Sequence, residues 1–223
     1  MTSKSAELIS EIKVVAFDFD QTLVDETFSI RRRWEETLRK FSHLHAGLEK
    51  KFLLNFDAKG HKHKTHLNDA LAELGISEIH APAILDLFRS IKSSEEKVYT
   101  GVKEAILLLK KRKKRVGIIT DGYKSYQEDR IRKSGLHDLF DFFYYGDEHQ
   151  KPDPAFFQKC IEGENVSPRE FLYVGDDVAK DIEGALRAGV RACFIGDEKK
   201  SILPEEAFCF KTMYDFQQWL KRL

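Results

Sequence analysis

Six short apolar segments of the chain have the length and composition of buried strands. The first, at 13–19, is rich in Val and Phe and too short to show a helical period. The other five lie in the second half of the chain, at 115–120, 142–145, 171–174, 191–195 and 207–210. Amphipathic segments typical of helices alternate with them, at 102–114, 123–134, 154–162, 178–188 and 214–220. This alternation predicts an α/β fold, a Rossmann-like parallel sheet with helices on both faces.

The region between the first strand and the rest of this pattern has a different character. It contains no segment with the pattern of a strand, and its apolar residues recur at spacings of three and four. Helices are predicted there at 28–41, 65–74 and 81–91. Gly75 ends the second of these helices and Pro82 begins the third. We therefore predict two domains, a core formed by 1–25 and 98–223 and a small all-helical domain formed by 26–97.

Composition argues against several classes of function. The 223 residues include 37 basic and 37 acidic side chains, so a net charge of zero gives no reason to expect nucleic acid or an anionic membrane as partner. No apolar run reaches the roughly 18 residues of a membrane span. Glu7 and Glu11 lie where a signal peptide needs an apolar run, and Cys160, Cys193 and Cys209 are an odd number in apolar surroundings. We therefore expect a cytoplasmic protein with reduced thiols, and its oligomeric state is left open.

Two aspartates, Asp18 and Asp20, interrupt the first apolar segment at its carboxyl end. Residues two apart in a strand point to the same side, so the two carboxylates face one region of space. Like charges so close together require a cation or a shared proton. The alternative, in which one aspartate caps a helix and the other is simply exposed, explains the pair poorly. The pair therefore predicts a functional site.

Further polar residues follow two other predicted strands. Thr120 ends the second strand, and Asp121 and Gly122 lead from it into a helix, whose free N–H groups suit a phosphate. An ordinary strand end followed by a glycine turn explains these residues equally well. Lys151 lies in a Lys-Pro-Asp-Pro segment, where the prolines restrict the backbone around the lysine.

A third group of acids, Asp176, Asp177 and Asp181, follows the fourth predicted strand. Mg²⁺ prefers a few carboxylates, near-octahedral geometry and several retained waters. Asp18, the backbone carbonyl of Asp20 and Asp176 form a suitable set of ligands, and Asp177 and Asp181 either orient these ligands or replace them. The alternative is that the acids stabilise the dipole of the following helix, and this alternative accounts for Asp177 and Asp181.

Taken in chain order, these segments resemble the four motifs of the haloacid dehalogenase superfamily, most of whose members are phosphatases. Asp18-Phe-Asp20-Gln-Thr22 resembles the first motif, and the second, third and fourth motifs correspond to Thr120, Lys151 and the acids from Asp176 onward. Gln21 stands where the family most often has Gly, and Asp121 where it more commonly has Asn. The resemblance covers about 13–25 and 99–195, and it matches no specific residue of the helical domain.

The resemblance implies a Mg²⁺-dependent phosphatase that acts on a small phosphorylated metabolite. Asp18 is then the nucleophile that forms an aspartyl-phosphate, and Asp20 is the general acid and base. The implied substrate-binding residues are Thr120, Asp121, Gly122 and Lys151, and the implied metal ligands are Asp18, Asp20, Asp176 and Asp177. The helical insertion is then a mobile cap over the active site. The second aspartate favours phosphate chemistry over carbon–halogen cleavage, since a halide leaves without a proton.

Two alternatives remain for the function. A phosphomutase differs mainly in whether water or a sugar hydroxyl receives the phosphoryl group. A non-catalytic phosphate-sensing module also combines acids, a Thr and a Lys around Mg²⁺, but its paired acids are adjacent and it lacks a large insertion after the first strand.

Two other clusters of charged or ligand-forming side chains are weaker signals. The helical domain is rich in histidine, at His43, His45, His61, His63 and His66. These histidines lack the cysteine or acid partners and the regular spacing of a zinc site, although the segment 61–66 could contact an anionic substrate. The basic run at 110–115 resembles a nucleic-acid patch, but it lies at the end of a predicted helix, where cations suit the helix dipole.

Overall fold

The computed structural model describes residues 9–59, 63–92, 95–197 and 202–223. Contacts divide the chain into two compact units. The core unit consists of Met1–Asp25 and Lys97–Leu223, and the helical unit consists of Glu26–Glu96. No helix in the described ranges combines the length and the apolar character needed to cross a membrane.

The core unit contains one sheet of six strands, all of them parallel to their neighbours. The strands are β1 Val14–Phe17, β2 Arg115–Thr120, β3 Phe142–Tyr145, β4 Phe171–Gly175, β5 Arg191–Ile195 and β6 Phe208–Phe210. Their order across the sheet is β3-β2-β1-β4-β5-β6. The predicted Rossmann-like α/β fold is confirmed.

Helices cover both faces of this sheet, as strand β1 shows. All four of its residues are buried, because alternate side chains enter two different apolar cores. Val15 and Phe17 pack on one face with residues such as Phe216, whereas Val14 and Ala16 pack on the other. A strand buried on both faces has to be continuously apolar, which is why the first segment of the sequence shows no polar alternation.

Within the described residues, the α-helices of the core unit that follow Lys97 have these bounds. They are α5 Val102–Lys111, α6 Lys124–Lys133, α7 Pro154–Glu164, α8 Glu183–Arg187 and α9 Met213–Arg222. The predicted helix at 178–188 differs from expectation, because its first turn, Val178–Ile182, is a π-helix that leads into α8. Such wide turns inside helices are frequent at functional sites.

The topology fixes where a ligand site belongs. From β1 the chain moves outward through β2 to β3, and it then returns to place β4 on the other side of β1. The strand order therefore reverses between β1 and β4. In open parallel sheets, ligands bind outside the carboxyl ends of the strands at such a switch point.

The helical unit consists of four α-helices in its described part. They are α1 Glu26–Arg39, α2 Leu48–Lys59, α3 His63–Glu73 and α4 Ala81–Ser90. The Trp34 side chain is fully buried, and the centroid of its ring lies 4.3 Å from that of Phe52 and 4.1 Å from that of Phe88. His61, from the histidine-rich segment, lies outside the described residues, and His66 is buried.

Two segments of the core unit connect to the helical unit, and they pair with each other. Asp25 donates a backbone hydrogen bond to Lys97 (2.8 Å), and Tyr99 donates one to Leu23 (3.0 Å). The Tyr99 hydroxyl also donates to Gln21 Oε1 at 2.8 Å. Both chain connections are therefore fixed to the loop that follows β1.

Candidate active site

Lys151 is the centre of the polar cluster at the switch point. Its ammonium group lies 2.8 Å from Asp18 Oδ1, 2.6 Å from Asp181 Oδ1 and 2.9 Å from the Tyr173 hydroxyl. An ammonium group has three N–H donors, and each of these three oxygens lies at hydrogen-bonding distance. The side chain of Lys151 is only 2% exposed, so these contacts are shielded from solvent.

The backbone of Lys151 is held as firmly as its side chain. Its N–H donates to Asp121 Oδ1 at 2.7 Å, and Asp121 Oδ2 lies 3.5 Å from the ammonium group of Lys180. The Asp121 side chain thus points towards the segment that contains Lys151. The Tyr173 hydroxyl in turn donates to the carbonyl of Ile119 on β2 at 3.0 Å.

Three carboxylates surround this lysine. Asp18, Asp176 and Asp181 each place one oxygen within 4.8 Å of the others. Asp181 Oδ1 contacts Lys151, and Oδ2 accepts backbone hydrogen bonds from Asp176 (3.1 Å) and Asp177 (3.0 Å). Asp176 Oδ1 accepts a hydrogen bond from the Thr22 hydroxyl at 3.0 Å. Asp18 and Asp176, which follow β1 and β4, therefore stand on the two sides of the switch point.

Asp177 belongs to a different environment. Its side chain is the N-cap of the π-helical turn and accepts a hydrogen bond from the N–H of Lys180 at 3.0 Å. The structure thus places Asp181, rather than Asp177, beside Asp18 and Asp176.

The charges of the cluster are unbalanced, with one ammonium group among three carboxylates. Burial, together with repulsion from Asp181, raises the pKa of Asp18 well above its usual range despite the contact with Lys151. Burial and the Asp181 charge likewise raise the pKa of Asp176 to about 7. Although burial alone lowers the pKa of Lys151, the charges of Asp18, Asp181 and Asp121 outweigh it, and this pKa lies above its usual range.

This excess of buried negative charge fits a divalent cation. Hard oxygen donors from a few carboxylates are the ligands that Mg²⁺ prefers. Asp18 and Asp176 are the two side chains of the cluster best suited to hold it, because both oxygens of Asp181 already accept contacts from protein groups.

Asp20 points into a second polar network, formed with helix α6. Its Oδ2 accepts a hydrogen bond from Gln127 Nε2 at 2.8 Å, and its Oδ1 forms an ion pair with Arg130 at 2.7 Å. Gln127 Nε2 also donates to the Thr120 hydroxyl at 2.9 Å. Gly122 allows this approach, because a Cβ atom there would lie 2.4 Å from the Gln127 side chain.

Four residues of these networks were missed by the sequence analysis: Thr22, Gln127, Arg130 and Tyr173. A signal existed for Thr22, which lies in the segment that resembles the first motif. Gln127 and Arg130 are three residues apart on α6, and only their burial in the structure shows that they need polar partners. Nothing local distinguishes Tyr173 from the apolar residues of its strand.

The fold and the site define a class of parallel α/β proteins with a cluster of buried carboxylates and a lysine at the switch point of the sheet. The chain belongs to the family of haloacid dehalogenase-like hydrolases, whose model matches residues 15–195. The predicted resemblance is thereby confirmed.

Two relatives of known activity are similar over most of their length. Glyceraldehyde 3-phosphate phosphatase of Pyrococcus furiosus is 28% identical over 195 residues, which cover 81% of this chain and 79% of that protein. Human N-acylneuraminate-9-phosphatase is 26% identical over 216 residues, which cover 88% of this chain and 86% of that protein.

A solved structure shows the same fold. It is a haloacid dehalogenase-superfamily hydrolase of subfamily IA from Geobacter sulfurreducens, which superimposes with a TM-score of 0.70 at 21% identity. The match covers 94% of this chain and 97% of that one.

Proposed function

We propose that this chain is a Mg²⁺-dependent phosphatase that hydrolyses a small phosphomonoester through an aspartyl-phosphate intermediate. The observation that carries the proposal is the buried cluster in which Lys151 contacts Asp18 and Asp181 beside Asp176. The names of the two relatives, both phosphatases of small phosphorylated compounds, support the same activity.

In the first step, a carboxylate oxygen of Asp18 forms a bond to phosphorus while the bond from phosphorus to the ester oxygen breaks. Asp20 gives its proton to the departing oxygen. Lys151 holds Asp18 in place and places positive charge beside the group being transferred, where most of the catalysis of phosphoryl transfer arises. A bound Mg²⁺ supplies further positive charge at this point.

In the second step, water attacks the phosphorus of the aspartyl-phosphate. Asp20 takes the proton from this water, and the bond between phosphorus and the Asp18 oxygen breaks. Inorganic phosphate leaves, Asp18 is again a carboxylate and Asp20 is again protonated. Thr120 and the backbone N–H groups of Asp121 and Gly122 are proposed to bind the phosphate oxygens.

The helical unit is proposed to act as a cap that selects the substrate. Its position in the chain supports this role, because it begins at Glu26, shortly after the segment at the end of β1 that carries Asp18 and Asp20. The substrate class is a small phosphorylated metabolite, and the proposed location is the cytoplasm. The free thiols of Cys160, Cys193 and Cys209 are consistent with a reducing compartment.

The direct test is release of inorganic phosphate by the purified protein with Mg²⁺, across a panel that includes glyceraldehyde 3-phosphate, N-acylneuraminate 9-phosphate, other sugar phosphates, nucleoside monophosphates and phosphorylated acids. We expect hydrolysis of at least one compound, its loss in EDTA and its loss in Asp18→Asn. An isomerised sugar phosphate without phosphate release would instead identify a phosphomutase. Full activity of Asp18→Asn would refute the proposed nucleophile.

A further inference from the structure

Helix α6 presents two buried polar side chains to the carboxyl ends of β1 and β2. Gln127 is 3% exposed and Arg130 is 2% exposed. The reaction proposed above uses neither of them. Both contact Asp20, whose geometry decides where a proton is delivered.

The contacts of Gln127 fix the orientation of its amide group. Gln127 Oε1 accepts a hydrogen bond from Arg130 Nη1 at 3.0 Å. Because a guanidinium group only donates, the amide oxygen must face Arg130. The amide nitrogen is then left to donate to Asp20 Oδ2 and Thr120 Oγ1, at 2.8 and 2.9 Å. Arg130 thus orients Gln127, and Gln127 joins Asp20 to Thr120.

Arg130 is itself held by aromatic rings. Its guanidinium carbon lies 5.2 Å from the centre of the Phe19 ring and 5.5 Å from that of Tyr126. These distances are in the range of cation–π contacts. The planar guanidinium group therefore has a fixed place beside Asp20, which a flexible lysine would not reproduce.

We propose that Arg130 and Gln127 are positioning residues for Asp20. Together they contact both oxygens of the Asp20 carboxyl group and so fix its plane. Oδ1 is buried against Arg130, whereas Oδ2 has a second lone-pair site, through which the carboxyl group is able to exchange a proton with the substrate. The inference rests on the proposed phosphatase function, and it explains how the carboxyl group of Asp20 is oriented for that reaction.

A purely structural role of the ion pair is the competing explanation. Buried ion pairs contribute little net stability compared with apolar residues of similar size, so stability alone gives weak grounds for this arrangement. The two explanations differ in what they predict for different leaving groups. An alkoxide needs a proton as the ester bond breaks, whereas p-nitrophenolate leaves without one.

The experiment compares Arg130→Met and Gln127→Met with the wild type on an alkyl phosphate that the wild type hydrolyses and on p-nitrophenyl phosphate. Arg132→Met is the matched control, because Arg132 lies on the same helix, is 57% exposed and pairs with Glu128. Rapid mixing measures the first phosphoryl transfer, steady-state assays measure overall turnover, and circular dichroism verifies folding.

We expect Arg130→Met to slow the first transfer from the alkyl phosphate by about 10- to 100-fold, a part of what general acid catalysis supplies. The first transfer from p-nitrophenyl phosphate should change by less than about threefold, because p-nitrophenolate leaves without needing a proton from Asp20. Because Asp20 also activates the water of the second step, Arg130→Met should hydrolyse the aspartyl-phosphate more slowly than it forms this intermediate from p-nitrophenyl phosphate. The variant should therefore release a burst of one nitrophenolate per enzyme. Arg132→Met should behave like the wild type.

A second comparison tests whether Arg130 acts through Asp20. In an Asp20→Asn background, Arg130→Met should have little further effect on the first transfer from the alkyl phosphate, because the group that it positions is gone. Arg130→Lys should restore only part of the alkyl phosphate rate. The inference would be overturned if folded single variants slowed the first transfer from both substrates equally, or from neither. Additive effects with Asp20→Asn on that transfer would overturn it as well. A wild type without phosphatase activity would refute the proposed function instead.

Discussion

At the scale of single residues, the ammonium group of Lys151 depends on a hydrogen bond to the buried hydroxyl of Tyr173. The Tyr173 hydroxyl stands between the Lys151 ammonium group and the Ile119 carbonyl, and burial raises its pKa well above the usual range. Tyr173 therefore stays a neutral donor and acceptor. It joins Lys151 to β2 without contributing a charge.

Tyr173→Phe should leave two buried polar groups, on Lys151 and Ile119, without their shared partner. We expect the free energy of unfolding to fall by about 1–3 kcal/mol, the cost of buried groups that lose a hydrogen bond. Urea denaturation with the fluorescence of the protein as readout measures this change. Tyr214→Phe, at a side chain that is 49% exposed, is the control and should change stability by less than about 0.5 kcal/mol. Equal effects of both substitutions would contradict the buried role.

At the scale of elements, the π-helical turn after β4 separates two neighbouring acids by function. Asp177 caps the turn, whereas Asp181, four residues later, turns back to Lys151 and to the N–H groups of the β4 loop. Sequence order makes Asp177 the nearer candidate for a metal ligand. In the structure Asp177 is instead the N-cap of the turn, and Asp181 lies beside Asp18 and Asp176.

Asp177→Ala and Asp181→Asn should therefore have different consequences. The first removes an N-cap and should cost about 1 kcal/mol of stability, with phosphatase activity within a few-fold of the wild type. The second replaces a carboxylate that contacts Lys151 and accepts from two backbone N–H groups, and it should cost about 1–3 kcal/mol and most of the activity. Thermal unfolding and phosphate release measure the two quantities. Asp177→Ser, which keeps a capping oxygen, is the matched control, and loss of activity in both Asp177 variants would return this residue to the metal site.

The sequence predicts elements better than it predicts the networks between them. All six strands follow from apolar runs, which burial on both faces requires in the central strands of a parallel sheet. Helix α2 was not predicted, although its buried residues Leu48, Phe52 and Phe56 are spaced by four, because the exposed Leu54 places an apolar residue outside this stripe. The contact of Gln127 with Asp20 joins residues 107 positions apart, and no local pattern encodes it.

At the scale of the whole molecule, the two compact units have separate apolar cores. The core of the helical unit centres on Trp34 and is made from residues of that unit alone. Each unit therefore has the means to lose structure by itself, as local opening in cooperative units requires.

Trp34→Ala should open the helical unit selectively. Replacing a buried tryptophan costs about 3–5 kcal/mol. Hydrogen exchange followed by mass spectrometry should show faster exchange within 26–96, and little change in the strands of the sheet. Leu54→Ala is the control in the same unit, because Leu54 is 57% exposed. Equal loss of protection in both units would show that they unfold as one.

The acidic site should also set the pH dependence of the stability of the metal-free protein. The pKa of Asp176 is about 7 in the folded chain against an ordinary value of 3.8, so the folded state binds more protons than the unfolded state between these values. Stability in EDTA should therefore decrease as the pH rises from about 4 to about 7. Asp176→Asn removes the titrating charge while keeping an acceptor for Thr22, and in EDTA at pH 8 it should be more stable than the wild type, by on the order of 2–4 kcal/mol.

Mg²⁺ should reverse this order. At a concentration of about 100 times its dissociation constant it should stabilise the wild type by about 2.7 kcal/mol, and it should stabilise Asp176→Asn much less. Thermal unfolding across pH 4–8, with and without Mg²⁺, measures both effects, and Asp177→Asn is the control because its side chain caps a helix instead. If Asp176→Asn were less stable than the wild type in EDTA at pH 8, the inferred cost of a buried, charged Asp176 beside Asp181 would be wrong. If Mg²⁺ stabilised both proteins equally, the cation would bind elsewhere.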